Sequence, residues 1–194
     1  PHYAGRSPDE RPQQRRPRLL DAGLQVFGTV GYDAATITLL CGTARVGTKA
    51  FYDEFPSREA LLLAVATDIV ATAAAHLEQA LAAAPRDLEQ RVRAGLTAYI
   101  GFLTEDVRRV RIAYREIRVA PLEAERQFAS SAFAALVNEQ VAELGVGNHA
   151  RDNLLLALAL LGGVGELLNH WTGVVEKPPV ERLVAELTRL FVAA

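Results

Sequence analysis

Two short apolar-periodic pieces lie between Thr36 and Pro56: residues 37–44, "ITLLCGTA", and residues of about 47–54, "GTKAFYDE". The residues "RVG" break one from the other. Neither piece is long enough to make a core by itself, so both must be held against a neighbouring element. Thr36 is placed to cap the first piece, and Pro56 stops the second. Ser57 caps the next helix, with Glu59 in its first turn, where the helix dipole favours an acid. A pair of short helices joined by a tight turn is the strongest constraint on what this chain can become.

The preceding segment supplies the support. Leu20, Leu24 and Phe27 fall on one helical face, widened by Leu19, Val26 and Val30. Pro17 suits the first turn of that helix, and Gly28 and Gly31 bracket its end. Residues 1–16, rich in proline and arginine, read as a flexible arm. After Ser57 a long helix is expected from Arg58 to about Ala84, ended by Pro85. Further helices are expected at 88–104, 106–119, 122–144, 150–172 and 179–193. No alternating β-branched run and no internal repeat is present, so the fold class is all-α.

The chain of 194 residues has a formal net charge of −2, so binding a polyanion would need local positive charge. Arg6, Arg11, Arg15, Arg16 and Arg18 supply it at the N-terminal end. Cys41 is the one cysteine, which excludes an internal disulfide and argues against a cysteine-rich metal site. No uninterrupted apolar run reaches the roughly 18 residues of a membrane span, and the N-terminus lacks the apolar core of a signal peptide. The expectation is a cytoplasmic protein with a small N-terminal module on a larger, acidic helical body.

A helix-turn-helix lays its second helix in a major groove, with the leading residues at base edges. Phe51 and Phe55, four apart, share the face that would anchor that helix, together with Val46 and Ala50. Tyr52 lies one residue off that face, so its hydroxyl reaches outward. Gly47, Thr48 and Lys49 form the leading turn. The segment "LLDAGLQVFGTVGYDAAT" followed by "ITLLCGTARVGTKAFYDEFPSREALL" closely resembles the DNA-binding segment of the tetracycline-repressor (TetR) family. The "GY-x-x-x-T", "FY-x-x-F" and "F-P-S-[KR]-E-x-L" pieces match in order and spacing from about Arg15 to Leu63.

The resemblance implies a helix-turn-helix domain over 17–56 and a helical effector-binding and dimerisation domain over 57–194. It implies a homodimeric, ligand-responsive regulator, expected to be a repressor, on a palindromic double-stranded DNA operator. It places Thr36, Gly47, Thr48, Lys49, Tyr52 and Arg58 at DNA. Arg45 stands where the family usually has glycine. Asp53 and Glu54 put negative charge where the family often has Arg or His.

In the body, the apolar circumference of 150–172, with Gly162, Gly163 and Gly165, and the stripe Leu183, Leu187, Leu190 and Phe191 suit either a four-helix interface with a two-fold partner or an internal core helix. Candidates for an effector pocket are Tyr99, Phe102, Leu103, Tyr114, Phe128, Phe133, Glu166, Asn169, His170 and Trp171. The effector is an unidentified small molecule. Arg108, Arg111, Arg115 and Arg118 make a basic stripe, either a solvated face or a contact to the N-terminal module through Asp53 and Glu54. The four histidines lack metal-ligand spacing, and neither a phosphate loop, a paired-acid constellation nor a nucleophile motif stands out. No metal, no cofactor and no enzyme activity is expected. The alternative is a helical small-molecule-binding protein whose N-terminal module serves oligomerisation.

Overall fold

A computed structural model gives the fold and describes residues 12–120 and 150–193. Among these residues every regular element is helical. Helix α1 is Pro12–Thr29, α2 Ile37–Ala44, α3 Thr48–Glu54, α4 Arg58–Ala83 and α5 Leu88–Glu105. Helix α6 has three parts: Val107–Arg111, a π-helical turn Ile112–Glu116, and Ile117–Val119. Helices α7 (Ala150–Gly173) and α8 (Val180–Ala193) complete the body. The helix expected at 122–144 lies outside the described residues.

Thr36 and Ser57 cap their helices as read from the sequence. The Thr36 hydroxyl accepts from the Leu39 N–H at 3.1 Å, and the Ser57 hydroxyl from the Ala60 N–H at 3.2 Å. Asp87 caps α5 in the same way, through the Gln90 N–H at 2.9 Å. Arg45 ends α2 in the left-handed region, at φ 57° and ψ 43°, a conformation glycine adopts without strain and arginine does not.

Three expectations change. Helix α1 starts at Pro12 rather than Pro17, so Pro12 takes the first-turn place where a missing N–H costs nothing, and Pro17 lies within the helix. Val30, expected on the apolar face of α1, stands one residue past its end and is exposed. The α6 region is not one regular helix. Its π turn inserts a residue between Arg111 and Ile117, so residues on either side no longer share a single α-helical stripe.

A continuous apolar core joins module and body. Leu19, Ala22, Val26 and Phe27 of α1 pack with Leu40, Phe51 and Phe55, and on the other side with Leu61, Leu62 and Val65 of α4. Helix α4 is long and apolar enough, by length and composition, to cross a membrane. Here it lies against α1, α5 and the π turn. Helix α8 packs on α5 through buried Leu183, Val184 and Leu187. At Gly28 of α1 an added Cβ would overlap the Arg108 side chain and approach its Cα at 3.2 Å, so α1 and α6 touch nearly backbone to backbone.

Candidate nucleic-acid interface

Helix α3 has two unlike faces. Phe51 is fully buried and Phe55 nearly so, with ring centroids 6.3 Å apart. Burying a side chain of this size stabilises the module by about 1.5–3 kcal/mol. On the opposite face Gly47, Thr48, Lys49 and Tyr52 are exposed. Tyr52 is 53% exposed, with its ring edge-on to Phe51 at 5.4 Å. The Phe51 ring thus fixes Tyr52 while its hydroxyl stays free to reach outward.

The turn between α2 and α3 fixes where that face points. The Arg45 N–H donates to the Cys41 and Gly42 carbonyls, and the Val46 N–H to the Cys41 carbonyl at 3.0 Å. Gly47 caps α3 with no side-chain hydrogen bond, and nothing lies within 4 Å of where its Cβ would be. The space in front of this turn is therefore open. The Cys41 thiol is buried and its pKa raised by that burial, partly offset by a hydrogen bond with Thr48.

Helix α1 adds a cation to this end of the module. The Arg16 guanidinium lies 4.5 Å from the centre of the Phe55 ring, and its Nη1 donates to the Glu54 carbonyl at 3.5 Å. Asp53 is exposed and Glu54 half-buried. The sequence put Arg16 in a flexible arm. Its place beside α3 follows from the earlier start of α1.

Arg58 takes a different position from the one the resemblance implied. Its Nη1 donates to the carbonyls of Tyr32 (3.1 Å) and Ala35 (2.8 Å). Its guanidinium covers the Tyr32 ring at 4.1 Å, and its Nε pairs with Glu59 at 3.3 Å. These donors are turned inward, so Arg58 holds the α1–α2 loop rather than standing free at the surface. Glu59 also accepts from the Tyr32 hydroxyl, and that bond brings its carboxyl down to about 2.

The basic stripe divides. The Arg111 Nε pairs with buried Glu116 at 2.7 Å, and its Nη1 donates to the Thr29 carbonyl at 2.6 Å. Glu116, 4% exposed, accepts the Tyr32 N–H at 2.7 Å. The stripe therefore does contact the N-terminal module, Arg111 through Thr29 and Glu116 and Arg108 by its stem against Gly28, rather than through Asp53 and Glu54. Arg108 pairs with Asp106 at 2.7 Å, and Arg115 and Arg118 are exposed. Glu116 was missed in the sequence, where one acid in a helical stretch resembles any surface residue. The only sequence signal was the glycine turn Gly31–Tyr32, whose free N–H needs a partner.

In the body, the Tyr99 and Tyr114 hydroxyls meet at 2.6 Å between α5 and α6. Burial raises both phenols, Tyr114 well above its ordinary value. Leu103 is buried beside this region. Phe102 is half-buried between the His76 ring, stacked at 5.1 Å, and the Arg109 guanidinium at 4.1 Å. Asn169 is half-buried. The other pocket candidates do not converge here. Glu166 and His170 are exposed, Glu166 lying 3.9 Å from Arg118. Trp171 is buried, but its Nε1 donates to the Pro178 carbonyl at 2.8 Å and so closes the α7–α8 connection. Phe128 and Phe133 lie outside the described residues.

Residues 19–65 match the family of bacterial regulatory proteins described as the tetR family. The HTH-type transcriptional activator FasR of Mycolicibacterium smegmatis is 33% identical over 101 residues, which are 52% of this chain and 46% of that protein. The match thus spans about half the length of that relative. The fatty acid degradation regulator FadR of Bacillus halodurans shares the fold at a TM-score of 0.82 and 18% identity, over 98% of each chain. Bacillus subtilis FadR, solved with stearoyl-CoA, shares it at 0.75 and 14%, over 91% of this chain and 97% of that one. A tetR-family regulatory protein from Rhodococcus RHA1 does so at 0.67 and 21%, over 92% and 95%. The N-terminal module thus carries the DNA-binding segment of the tetR family of bacterial regulatory proteins, and the chain as a whole shares the fold of a tetR-family regulatory protein.

Proposed function

We propose that this chain is a DNA-binding regulator of transcription that acts as a two-fold dimer and responds to a small-molecule effector held in its helical body. The observation that carries this reading is the split of α3, with Phe51 and Phe55 sealed into the module and Gly47, Thr48, Lys49 and Tyr52 presented together on the open side. Lys49 and the Tyr52 hydroxyl are the groups for phosphate or base edges, and Thr36 stands at the start of α2 to meet the backbone. Arg58 acts indirectly, by holding the loop that carries Thr36.

A palindromic operator follows from a two-fold dimer, whose recognition helices must stand about one DNA turn, ~34 Å, apart. The dimer contact in this reading is made by α7 and α8. The effector is a molecule of mostly apolar surface with at least one polar group, received between α5, α6 and α7 near the Tyr99–Tyr114 hydroxyl pair. By preferring the state that does not bind DNA, it would shift the population away from the operator. Such a protein works where the DNA is, in the bacterial cytoplasm.

The test is selection of bound duplexes from a random pool, followed by gel shifts across salt. Affinity is expected to fall as salt rises, since phosphate contacts release counterions. Lys49→Ala and Tyr52→Phe are each expected to weaken binding by about 1 kcal/mol or more, roughly fivefold, with the melting temperature unchanged. Unaltered affinity in both variants would remove α3 as the reading element and favour the small-molecule-binding alternative. A promoter fusion then gives the sign of regulation: repression is the expectation from the family resemblance, whereas the Mycolicibacterium relative is an activator. Stearoyl-CoA, the ligand of the Bacillus subtilis neighbour, is the first compound to try in a thermal-shift assay.

A further inference from the structure

The Arg111–Glu116 pair spans five residues. On an α-helix, residues five apart point about 140° away from each other, and only spacings of three or four bring side chains together. The pair closes here because Ile112–Glu116 is a π turn, in which the Ile117 N–H reaches back five residues to the Ile112 carbonyl. The Ile112 N–H still reaches the Arg108 carbonyl four residues back, so the change of register begins at this residue.

The pair in turn grips the N-terminal module. Arg111 donates to the Thr29 carbonyl, and Glu116 receives the Tyr32 N–H. Gly31, at φ +86°, lies between them: a Cβ there would stand 2.7 Å from the Arg111 Nη2 and 3.1 Å from the Glu116 Oε2. The same π turn carries Tyr114 toward the body, where its hydroxyl meets Tyr99 and its ring lies against Gly165 so closely that a Cβ on that glycine would overlap it. Five residues thus touch the α1–α2 loop on one side and α5 and α7 on the other.

We propose that Ile112–Glu116 is a two-register switch. In the π register the Arg111–Glu116 clamp is closed and holds the α1–α2 loop. In the α register the segment after Arg111 turns by about 100°, the span of one residue, so Glu116 leaves both Arg111 and the Tyr32 N–H. The Tyr114 contacts with Tyr99 and Gly165 are where the body selects the register. Single π turns within α-helices recur at functional sites, and this one ties side-chain pairing to backbone register.

Two variants of the full-length chain pull in opposite directions. Deleting Ala113 removes the extra residue: Arg111 and Glu116 then stand four apart on a plain α-helix, with the clamp intact and no second register to adopt. Glu116→Ala removes the clamp and leaves the segment free to become α-helical. Hydrogen exchange at the Tyr32 amide is expected to slow at least threefold in the deletion and to quicken at least tenfold in Glu116→Ala. A crystal structure of Glu116→Ala is expected to show the Ile117 N–H on the Ala113 carbonyl instead of the Ile112 carbonyl.

A π turn kept intact in that structure would overturn the proposal, as would Tyr32 exchange in a folded deletion chain that is as fast as in the parent. Should the deletion chain fail to fold, the Glu116→Ala structure decides alone. The DNA arm rests on the reading under Proposed function: on a duplex selected by the parent chain, Glu116→Ala should bind at least tenfold more weakly and the deletion about as well as the parent. Equal binding by Glu116→Ala and the parent would overturn the switch. A parent chain that selects no duplex would overturn that reading instead, leaving exchange and crystallography to decide the register.

Discussion

Tyr32 has every polar group engaged. Its N–H meets Glu116, its carbonyl meets Arg58, its hydroxyl meets Glu59, and the Arg58 guanidinium covers its ring. The Glu59 bond has a pH signature. Its carboxyl is held at about 2 against an ordinary 4.5, chiefly by the Tyr32 hydroxyl. A depressed pKa contributes stability that is full above about 4.5 and lost as pH falls toward about 2. Glu59→Gln is therefore expected to cost about 1–2 kcal/mol at pH 6, and the gap in melting temperature between the two chains should close between pH 4.5 and pH 2. Calorimetry over that range checks it. The single-residue features legible in the sequence were those whose reason is local: Thr36 and Ser57 as caps. Glu116 and Arg58 were not, because their partners stand 84 and 26 residues away in the chain.

At the scale of elements, two glycines of the first forty-odd residues lead to opposite expectations. Gly42 lies on the outer side of α2 with nothing within 4 Å of an added Cβ, so Gly42→Ala should stabilise the helix by up to about 1 kcal/mol. Gly28 holds α1 against the Arg108 backbone, and Gly28→Ala should destabilise by about 1–3 kcal/mol as the two helices are forced apart. Denaturant midpoints measured side by side separate the two. Helix ends were mostly legible, because prolines, glycines and capping residues mark them. Two element features were not. Pro17 looked like a helix start, yet Pro12 fills that role five residues earlier. The π turn "IAYRE" has no marker in composition or periodicity, and the Tyr32 N–H that its Glu116 meets stands 84 residues away in the chain.

At the scale of the molecule, the end of α8 keeps apolar side chains exposed among the described residues. Leu190 is 55% exposed and Val192 39%, near the C-terminal end of the helix whose Leu183, Val184 and Leu187 are sealed against α5. In the proposed dimer these residues meet a second copy. Leu190→Glu is expected to shift sedimentation toward the monomer and to lower operator affinity at least tenfold, while circular dichroism stays that of a folded helical protein. The architecture was legible as an asymmetry of helix lengths, short before Pro56 and long after it. The convergence of a pocket was not: Glu166 and His170 share a helix with Trp171, but helical position alone does not say which face the body covers.

The position of Cys41 has a practical consequence. It is the one sulfhydryl of the chain, sealed beneath Thr48 at the root of the helix proposed to read DNA. A thiol-labelling reagent can reach it only when the module opens around it. The rate at which the unmodified chain takes up a single label is therefore a clock for the opening of the module, with no mutation or attached dye. Duplex DNA that clamps the helix in place should slow that clock.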